Sequence, residues 1–482
     1  MAHTAEVSSV GSSGSKVEYA EVESINEVAA DECTDGALRM RKYCQKIDWR
    51  ILSYLVVLNV LNQSDRGSIG VAKVVGLESD LGMVGNDFNI AATLFTVGYL
   101  AVEPFSNFVL KRVGASKLLP TLGILWGTVC TLQGIISTKT QLYAIRVMLG
   151  VAECGFTAGT LLILGFFYPK SKLTARVGFF YLSSPLANVV SGPLASALSQ
   201  IHHRTIRRWQ WVFILEGIIT VVVSLLGYFV LQDCPERSRF LSASEKEFIS
   251  SYKRREGTLG GSQHITFRDV KRVLADWQLW VMLFATLAAC EACGSVTVFA
   301  PEVINDLGFS STQAQAMSAL PSICGCIAIL LSGRIVRACG SHWLAGCLVL
   351  STSLVGSIIM VATINVPARM FGLCLLGTGG FAGLGILPGW NITAYSRTVA
   401  DSAVAAAATV FYGSCSNFVS SNVFLNSDAP RFVIGHSVNI AILTAGTIAC
   451  LVVRSSMRRR NRHLDRASRA SADDTKGFRF AL

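Results

Sequence analysis

The chain has 482 residues, of which 51% are hydrophobic and 15% are charged, and its formal net charge is +11 at pH 7. Because a soluble protein of this size carries about 25% charged residues, the composition excludes an ordinary soluble enzyme. Basic segments beside an anionic membrane leaflet account for the positive charge, whereas nucleic-acid binding would need a basic face on a soluble domain, and none is apparent.

Twelve apolar runs approach the roughly 20 residues that a helix needs to cross a bilayer. Ahead of them, residues 1–47 are polar and contain no apolar signal-peptide region, so we expect a disordered cytoplasmic tail. The sequence therefore predicts an all-α membrane protein with twelve transmembrane helices. The predicted helices are 50–70, 88–110, 118–137, 140–166, 176–199, 211–231, 277–300, 314–336, 343–364, 368–388, 402–424 and 431–453.

A polar stretch separates the sixth predicted helix from the seventh. Within it, SASEKEF begins with Ser and has acids in its first turn, which predicts a short amphipathic helix. Two six-helix halves around a linker are typical of transporters whose site lies near the midplane between pseudo-symmetric bundles. The predicted organisation is an N-terminal tail at 1–47, bundles at 48–232 and 276–454, a cytoplasmic linker at 233–275, and a basic cytoplasmic C-terminal tail at 455–482.

Charge in the short loops predicts the orientation. Basic residues follow the second, fourth and eighth helices and fill the C-terminal RSSMRRRNRH, so the positive-inside bias places both termini in the cytoplasm. HHRTIRRW, 202–209, opposes this orientation with three Arg on the other side. Because the bias is a sum over all loops, we keep the orientation and expect a multi-pass protein of the plasma membrane.

Several stretches, in order and at matching spacing, resemble a known family. They are DRGSIGVAKVVGLESDLG at 65–82, EPFSNFVLKRVG at 103–114, RVMLGVAECGF at 146–156, WQWVFILEG at 209–217 and SDAPRFVIGHSVN at 427–439. On these residues the chain resembles the major facilitator superfamily and, within it, the fungal allantoate permease group of anion:cation symporters. The chain departs from that pattern at Ser68, where Asn is usual, at Pro104, which lies one place early, and at Gln210, which replaces Arg. The resemblance implies alternating-access transport of a small organic anion.

Asp65 and Arg66 are adjacent charges inside the first apolar run. Neighbours on a helix point about 100° apart, so the two side chains cannot face one partner. One alternative is that both are interfacial charges at the outer mouth of the helix. In related anion transporters an arginine at this position faces the substrate, so the resemblance favours Arg66 as a substrate-binding residue. Asp65 then faces a neighbouring helix, and we assign it to proton coupling.

Arg146 and Glu153 lie two turns apart on one face of the fourth helix, about 10 Å along its axis, too far for direct contact. Burial favours the neutral form of a carboxyl group and a nearby cation favours the charged form, so Glu153 suits a proton carrier. We assign Glu153, Arg146 and Glu103 of the second helix to proton coupling. A structural role in ion pairs or helix contacts is the alternative for all three.

The second half offers three further substrate-binding candidates. Glu291 lies mid-helix in LAACEACG, and the family pattern does not require an acid there. It would influence substrate preference if it faces the cavity, and the alternative is a structural role. Asn391 ends the tenth helix, and Asn417 lies in the polar strip SCSNFVSSN, for which helix–helix hydrogen bonding is the alternative.

The fourteen cysteines form no disulfide framework and no metal-ligand spacing, so we expect no metal and no cofactor besides the coupling proton. No HExxH, phosphate-loop or nucleophile–base pattern indicates an enzyme. We therefore expect a secondary transporter that takes up a small organic anion, such as a carboxylate or ureide-like compound, with protons and without an obligate protein partner. The alternatives are a proton-antiport exporter of a small metabolite and, in another class, a nutrient sensor with the same fold.

Overall fold

The structure is a computed structural model in which every regular element of the described residues is a helix. The chain forms two units, 1–51 and 52–482. In the first, residues 36–47 are helical, although the sequence predicts a disordered tail there, and the rest of that tail lies outside the described residues. The structure describes residues 36–198, 206–255, 267–395, 399–424, 428–429 and 431–470.

The first six membrane helices, α1 to α6, follow the predicted apolar runs. A capping box between Thr138 and Gln141 begins α4, and Gly155, with φ of 84°, interrupts the same helix directly after Glu153 and Cys154. Glycine adopts this left-handed conformation without the steric cost that a side chain would bring. The helices are α1 Ser53–Val74, α2 Asp87–Val113, α3 Ala115–Gln133, α4 Lys139–Glu153 and Phe156–Phe167, α5 Lys170–Tyr181 and Ser183–Leu198, and α6 Arg208–Val230.

The second six membrane helices, α7 to α12, repeat this arrangement. The last of them continues well past its predicted end at residue 453, because the sequence that follows is rich in Arg, a good helix former, and contains no Gly or Pro. The helices are α7 Trp277–Asp306, α8 Ser311–Met317 and Ala319–Cys339, α9 His342–Ala362, α10 Val366–Ala394, α11 Val399–Val423 and α12 Val433–Ala470.

Between the bundles, the linker contains the 3₁₀ turn Pro235–Arg237 and the helices Ala243–Arg255 and Phe267–Leu274. The first of these helices confirms the prediction from SASEKEF. Ser242 accepts a bond from the Glu245 backbone N–H, and the Glu245 side chain accepts one from the Ser242 N–H, which is a capping box. We call the membrane end at which the linker lies the linker end, and the opposite end the far end.

Eight of the described helices, counting broken helices as one, are long and apolar enough to cross a membrane by length and composition alone. The other four membrane helices are α1, α2, α5 and α11, which carry charged or polar residues or are interrupted. The protein is nevertheless a twelve-helix membrane protein of two bundles, as the sequence predicts. The four helices that a simple hydropathy test misses all contribute to the boundary between the bundles.

Among the described residues, three helix pairs form most of that boundary: α1 with α7, α2 with α11, and α5 with α8. Small residues allow the backbones of membrane helices to approach closely. At the crossing of α1 and α7, a Cβ atom on Gly70 would collide with the Val298 carbonyl. This close approach sets the geometry of the cavity that lies beside it.

Candidate functional site: a cavity between the two bundles

The two bundles enclose a cavity of about 190 Å³, which is the candidate substrate site. Its wall is formed by α1, α2, α4 and α5 on one side and by α7, α10 and α11 on the other. Among the described residues of the lining, Arg66 is the only Lys or Arg, and none is Asp or Glu. A hollow of about 520 Å³ at the linker end is lined by the linker and the second bundle alone, so it does not face both halves.

Arg66 lies in the cavity wall and is paired with Glu153 across the first bundle. The Arg66 Nε atom is 2.7 Å from Glu153 Oε2, and the side chains are 23% and 0% exposed, respectively. The guanidinium also lies over the rings of Phe95 and Tyr99, 5.2 and 5.1 Å from their centroids. Such cation–π contacts contribute about 0.5–2 kcal/mol each, depending on desolvation. One face of the guanidinium group is therefore fixed by protein, while the group still reaches the cavity.

Asp65 points away from the cavity, toward α3, as the helical geometry of adjacent residues requires. Its Oδ1 atom accepts a hydrogen bond from the Cys130 thiol at 3.3 Å, and the residue is fully buried. Its Oδ2 atom has no hydrogen-bond partner among the described residues. Neither charge is an interfacial residue at the far mouth, so the alternative placement of this pair does not hold.

Arg146 and Glu216 complete a buried group of charges inside the first bundle. Arg146 is buried, and its Nε and Nη2 atoms find no hydrogen-bond partner among the described residues, although Asp65 and Glu153 interact with it electrostatically. Glu216 accepts hydrogen bonds from the hydroxyl groups of Ser64 and Ser68 on α1. Two guanidinium groups therefore accompany three carboxyl groups, so this group is neutral only when one carboxyl carries a proton.

Glu103 lies one turn after Tyr99 on α2 and is half-buried. Its Oε2 atom is buried and has no hydrogen-bond partner among the described residues. It does not line the cavity. The structure thus leaves it near the Arg66 site without a direct contact to Arg66. Within the described ranges, no cluster of three or more His, Cys, Asp or Glu side chains could hold a metal ion.

The predicted substrate-binding residues of the second bundle divide into two groups. Asn417 lines the cavity. Asn391 lies behind the wall, where its amide donates to the hydroxyl groups of Thr286 at 2.9 Å and Thr409 at 3.2 Å, and those two threonines line the cavity. Glu291 is buried and does not line the cavity, because its neighbours on α7 occupy the face that does. The expectation that Asn391 and Glu291 contact substrate directly is not supported by this conformation.

A family model described as Major Facilitator Superfamily matches residues 55–421. The chain belongs to this superfamily. It is 27% identical over 453 residues to the MFS-type transporter efuF of Hormonema carpetanum, a match covering 92% of this chain and 90% of that protein. It is also 31% identical over 317 residues to a protein of Agrobacterium vitis whose name proposes that it transports tartrate, a match covering 64% of this chain and 72% of that protein.

Solved structures agree on the fold. Two crystal structures of a bacterial homologue of the human lysosomal transporter Spinster, both inward-facing, match with TM-scores of 0.60 and 0.61 at 13% identity. They cover 83% and 87% of this chain, and 94% and 97% of their own. The predictions of the superfamily, of the fold and of a transporter rather than an enzyme are confirmed, whereas the allantoate permease group stays a prediction.

Several residues of the cavity wall were not predicted from the sequence. On α1, Asn59 and Gln63 line the cavity beside Arg66, and these positions are spaced four and three residues apart. This spacing defines one helical face, so the face could have been predicted once Arg66 had been chosen. Tyr99 and Tyr181 also line the cavity, but no motif marks them, because a Tyr in a membrane helix usually indicates no more than packing or an interfacial position.

The far end of this major facilitator is closed by contacts between the bundles. Lys73 on α1 pairs with Glu302 on α7 at 2.6 Å, with side chains that are 5% and 13% exposed. The Lys73 ammonium lies 4.6 Å from the centroid of Phe88 and 5.8 Å from that of Phe299. The Asn89 amide also donates to the Ser421 and Phe424 carbonyl groups of the second bundle. The cavity is therefore sealed on the far side.

One far-end contact bears on the loop that opposes the predicted orientation. Arg207 donates to the Asp80 carbonyl at 2.7 Å, and the Trp209 indole donates to the Asp80 carboxylate at 2.9 Å. Asp80 lies in the segment between α1 and α2, at the same end. At least one of the three Arg in this loop thus has an acidic partner at the same end.

Proposed function

We propose that this protein moves a small organic anion together with protons by alternating access, in the direction of uptake. The single observation that carries the proposal is the Arg66–Glu153 pair, because it places a cation in the cavity and a buried carboxylate against that cation. The coarser statement, a membrane transporter of the major facilitator type, does not depend on this pair.

The lining of the cavity supports an anionic substrate. Arg66 is its only Lys or Arg among the described residues, and Asn417, Gln63 and several hydroxyl groups surround it. A guanidinium group binds a carboxylate through two parallel hydrogen bonds. The amides and hydroxyls can bond the further polar groups of a hydroxylated or amidic acid. The volume of about 190 Å³ suits a small molecule, and the name of the Agrobacterium vitis relative proposes a small dicarboxylate for that protein.

The same pair supports coupling to protons. An anion that binds Arg66 competes with Glu153 for the guanidinium group. Breaking a buried ion pair by removing one partner costs about 3–5 kcal/mol, because the other charge is left buried without compensation. Glu153 can avoid that cost by taking up a proton. Proton and anion therefore raise each other's affinity, and by linkage the effect is reciprocal.

The closed far end supports the alternating-access part of the proposal. With the far end facing outward, as the loop charges predict, this conformation would follow entry of the anion from outside. The Lys73–Glu302 pair and the Asn89 contacts would then break to reopen the cavity on that side. If the anion instead entered from the cytoplasmic side and the same far-end contacts then opened, the protein would be an exporter. The direction of transport therefore needs its own test.

Transport of labelled acids by the full chain expressed in yeast tests the proposal. The panel contains tartrate, nicotinate, pantothenate and allantoate, each at acidic and at neutral external pH, with and without a protonophore. Saturable uptake that is faster at acidic pH and collapses with the protonophore is expected. Absence of uptake by a surface-localised protein, combined with faster loss of preloaded compounds, would replace uptake with export.

A further inference from the structure

Glu291 is a buried carboxyl group that the coupling mechanism around Arg66 does not use. It lies on α7, in the second bundle, and is 0% exposed. The Ser295 hydroxyl bonds its Oε1 atom at 3.0 Å, and the Asn439 amide of α12 donates to the same hydroxyl at 3.2 Å. No described side chain bonds its Oε2 atom, and the backbone of Ser420 on α11 lies near the carboxyl group. The polar group of Glu291, Ser295 and Asn439 therefore spans two helices behind the cavity wall.

No described cation neutralises Glu291. It forms no ion pair within the part of the chain that the structure describes. Arg66 is held by Glu153, and Arg369 donates to the Arg431 carbonyl. His436 is buried, and neither of its ring nitrogens bonds a described residue. Charged or titratable side chains near the middle of α7 are Cys290 and Cys293. The helices packed against α7 carry Arg66 on α1, Arg369 and Cys374 on α10, Cys415 on α11 and His436 on α12.

This setting favours the neutral acid. A charged side chain near the bilayer centre costs about 2.5–3.5 kcal/mol on insertion scales, and pairing is what usually offsets that cost. The neighbouring hydroxyl suits a carboxylic acid, because Ser295 accepts from Asn439 and can still either donate to Glu291 or accept from it. The missing counter-charge and the burial therefore favour a protonated Glu291 in the conformation with the far end closed.

The position of Glu291 ties its surroundings to the transport cycle. Cys290, Cys293 and Gly294, its neighbours on α7, line the cavity. At Gly294 the wall carries no side chain, and a Cβ atom there would lie 2.8 Å from the Ser420 hydroxyl of α11. The same helix carries Glu302, three turns further on, which closes the far end with Lys73. Opening of that end must therefore shift α7 against α1, and Glu291 lies on the helix that moves.

We infer that Glu291 is a second proton-binding site, which takes up a proton and releases it once in each transport cycle when α7 moves. The step is a simple protonation, in which the carboxylate gains a proton from water on one side of the membrane and returns it on the other. The inference rests on the proposed function, because it adds one proton to those that accompany the anion.

The test counts protons in proteoliposomes that contain the full-length protein. The reversal potential for transport of whichever acid of the panel the protein takes up gives the number of protons per cycle for the wild type, for E291Q and for the control variant E247Q. Glu247 is exposed on the linker helix Ala243–Arg255, outside both bundles. Gln mimics a carboxyl group that is always protonated, so we expect E291Q to transport with one proton fewer. The maximum accumulation of the acid then falls about 50-fold for each 100 mV of membrane potential. E247Q, which also replaces a Glu by Gln, should retain the proton number of the wild type.

A spectroscopic measurement keeps the inference falsifiable if E291Q folds poorly. Infrared spectra of the substrate-free wild type should contain protonated-carboxyl C=O bands, and S295A should shift the frequency of one of them, because the hydroxyl bond to Glu291 is lost. If none of the protonated-carboxyl bands shifts in S295A, or if the proton number is unchanged in E291Q while the wild type remains proton-coupled, the inference alone is overturned. A wild type that moves the acid without protons would overturn the proposed function and this inference together.

Discussion

Removing one partner of the Lys73–Glu302 pair should open the far end of the protein. The variant Glu302→Gln keeps the shape of the side chain and removes its charge, leaving Lys73 5% exposed against the rings of Phe88 and Phe299. Breaking a buried pair in this way costs about 3–5 kcal/mol. The two rings and Glu78, whose carboxylate lies 3.9 Å from the ammonium, retain part of the stabilisation. We therefore expect a shift of about 1–3 kcal/mol, or about 5- to 150-fold, toward the open far end.

Distance measurements between spin labels at Val84 and Ile364 provide the assay. Both residues are exposed, and they lie at the far end of the first and second bundle, respectively. Labels attached through an unnatural amino acid avoid the native cysteines. Lys139→Met is the matched control, because Lys139 pairs with Asp87 at 3.0 Å at the same end but within the first bundle. Longer distances in Glu302→Gln and unchanged distances in the control are expected. An unchanged distribution in Glu302→Gln would show that the pair does not hold the far end closed.

Two other substitutions test separate parts of the account. Gly70→Ala would place a Cβ atom against the Val298 carbonyl. We therefore expect normal membrane insertion but roughly tenfold slower transport, measured as the initial rate of uptake. An initial rate equal to that of the wild type would show that the close crossing of α1 and α7 is not required for transport. Asn391→Ala removes the donor that holds Thr286 and Thr409, and losing hydrogen bonds of about 0.5–1.5 kcal/mol each should raise the KM for the acid a few-fold while the maximal rate changes little. A KM equal to that of the wild type would show that these hydroxyl groups do not contact substrate.

How far the site could be predicted differs between the two bundles. On α1, the adjacent charges at 65 and 66 and the helical period predict that one faces the cavity and the other a neighbouring helix, and the structure shows this division. On α7, residues around Glu291 are small and apolar on every side, and the helix is buried over most of its surface. The hydrophobic periodicity of α7 therefore distinguishes no face of the helix. For this reason the sequence does not predict in which direction the Glu291 side chain points.

The break in α4 is a second feature that the sequence did not reveal. Residues 140–166 form one continuous apolar run, and a single glycine in a membrane helix indicates close packing as often as an interruption. The structure interrupts the helix between Glu153 and Phe156. Irregular backbone at membrane depth is tolerated where it is buried in protein or lines a cavity. In α4 the interruption ends the first helical segment at Glu153, whose carboxylate pairs with Arg66.

The central claim is that Glu153 and the transported anion compete for Arg66, and proton uptake on binding tests it most directly. Calorimetry of the purified protein with the acid identified by transport, in buffers of different ionisation enthalpy, gives the number of protons taken up per anion bound. The account predicts proton uptake by the wild type, no proton uptake but retained binding by Glu153→Gln, and no binding by Arg66→Ala. Binding by the wild type without proton uptake, or the same uptake in Glu153→Gln, would contradict it.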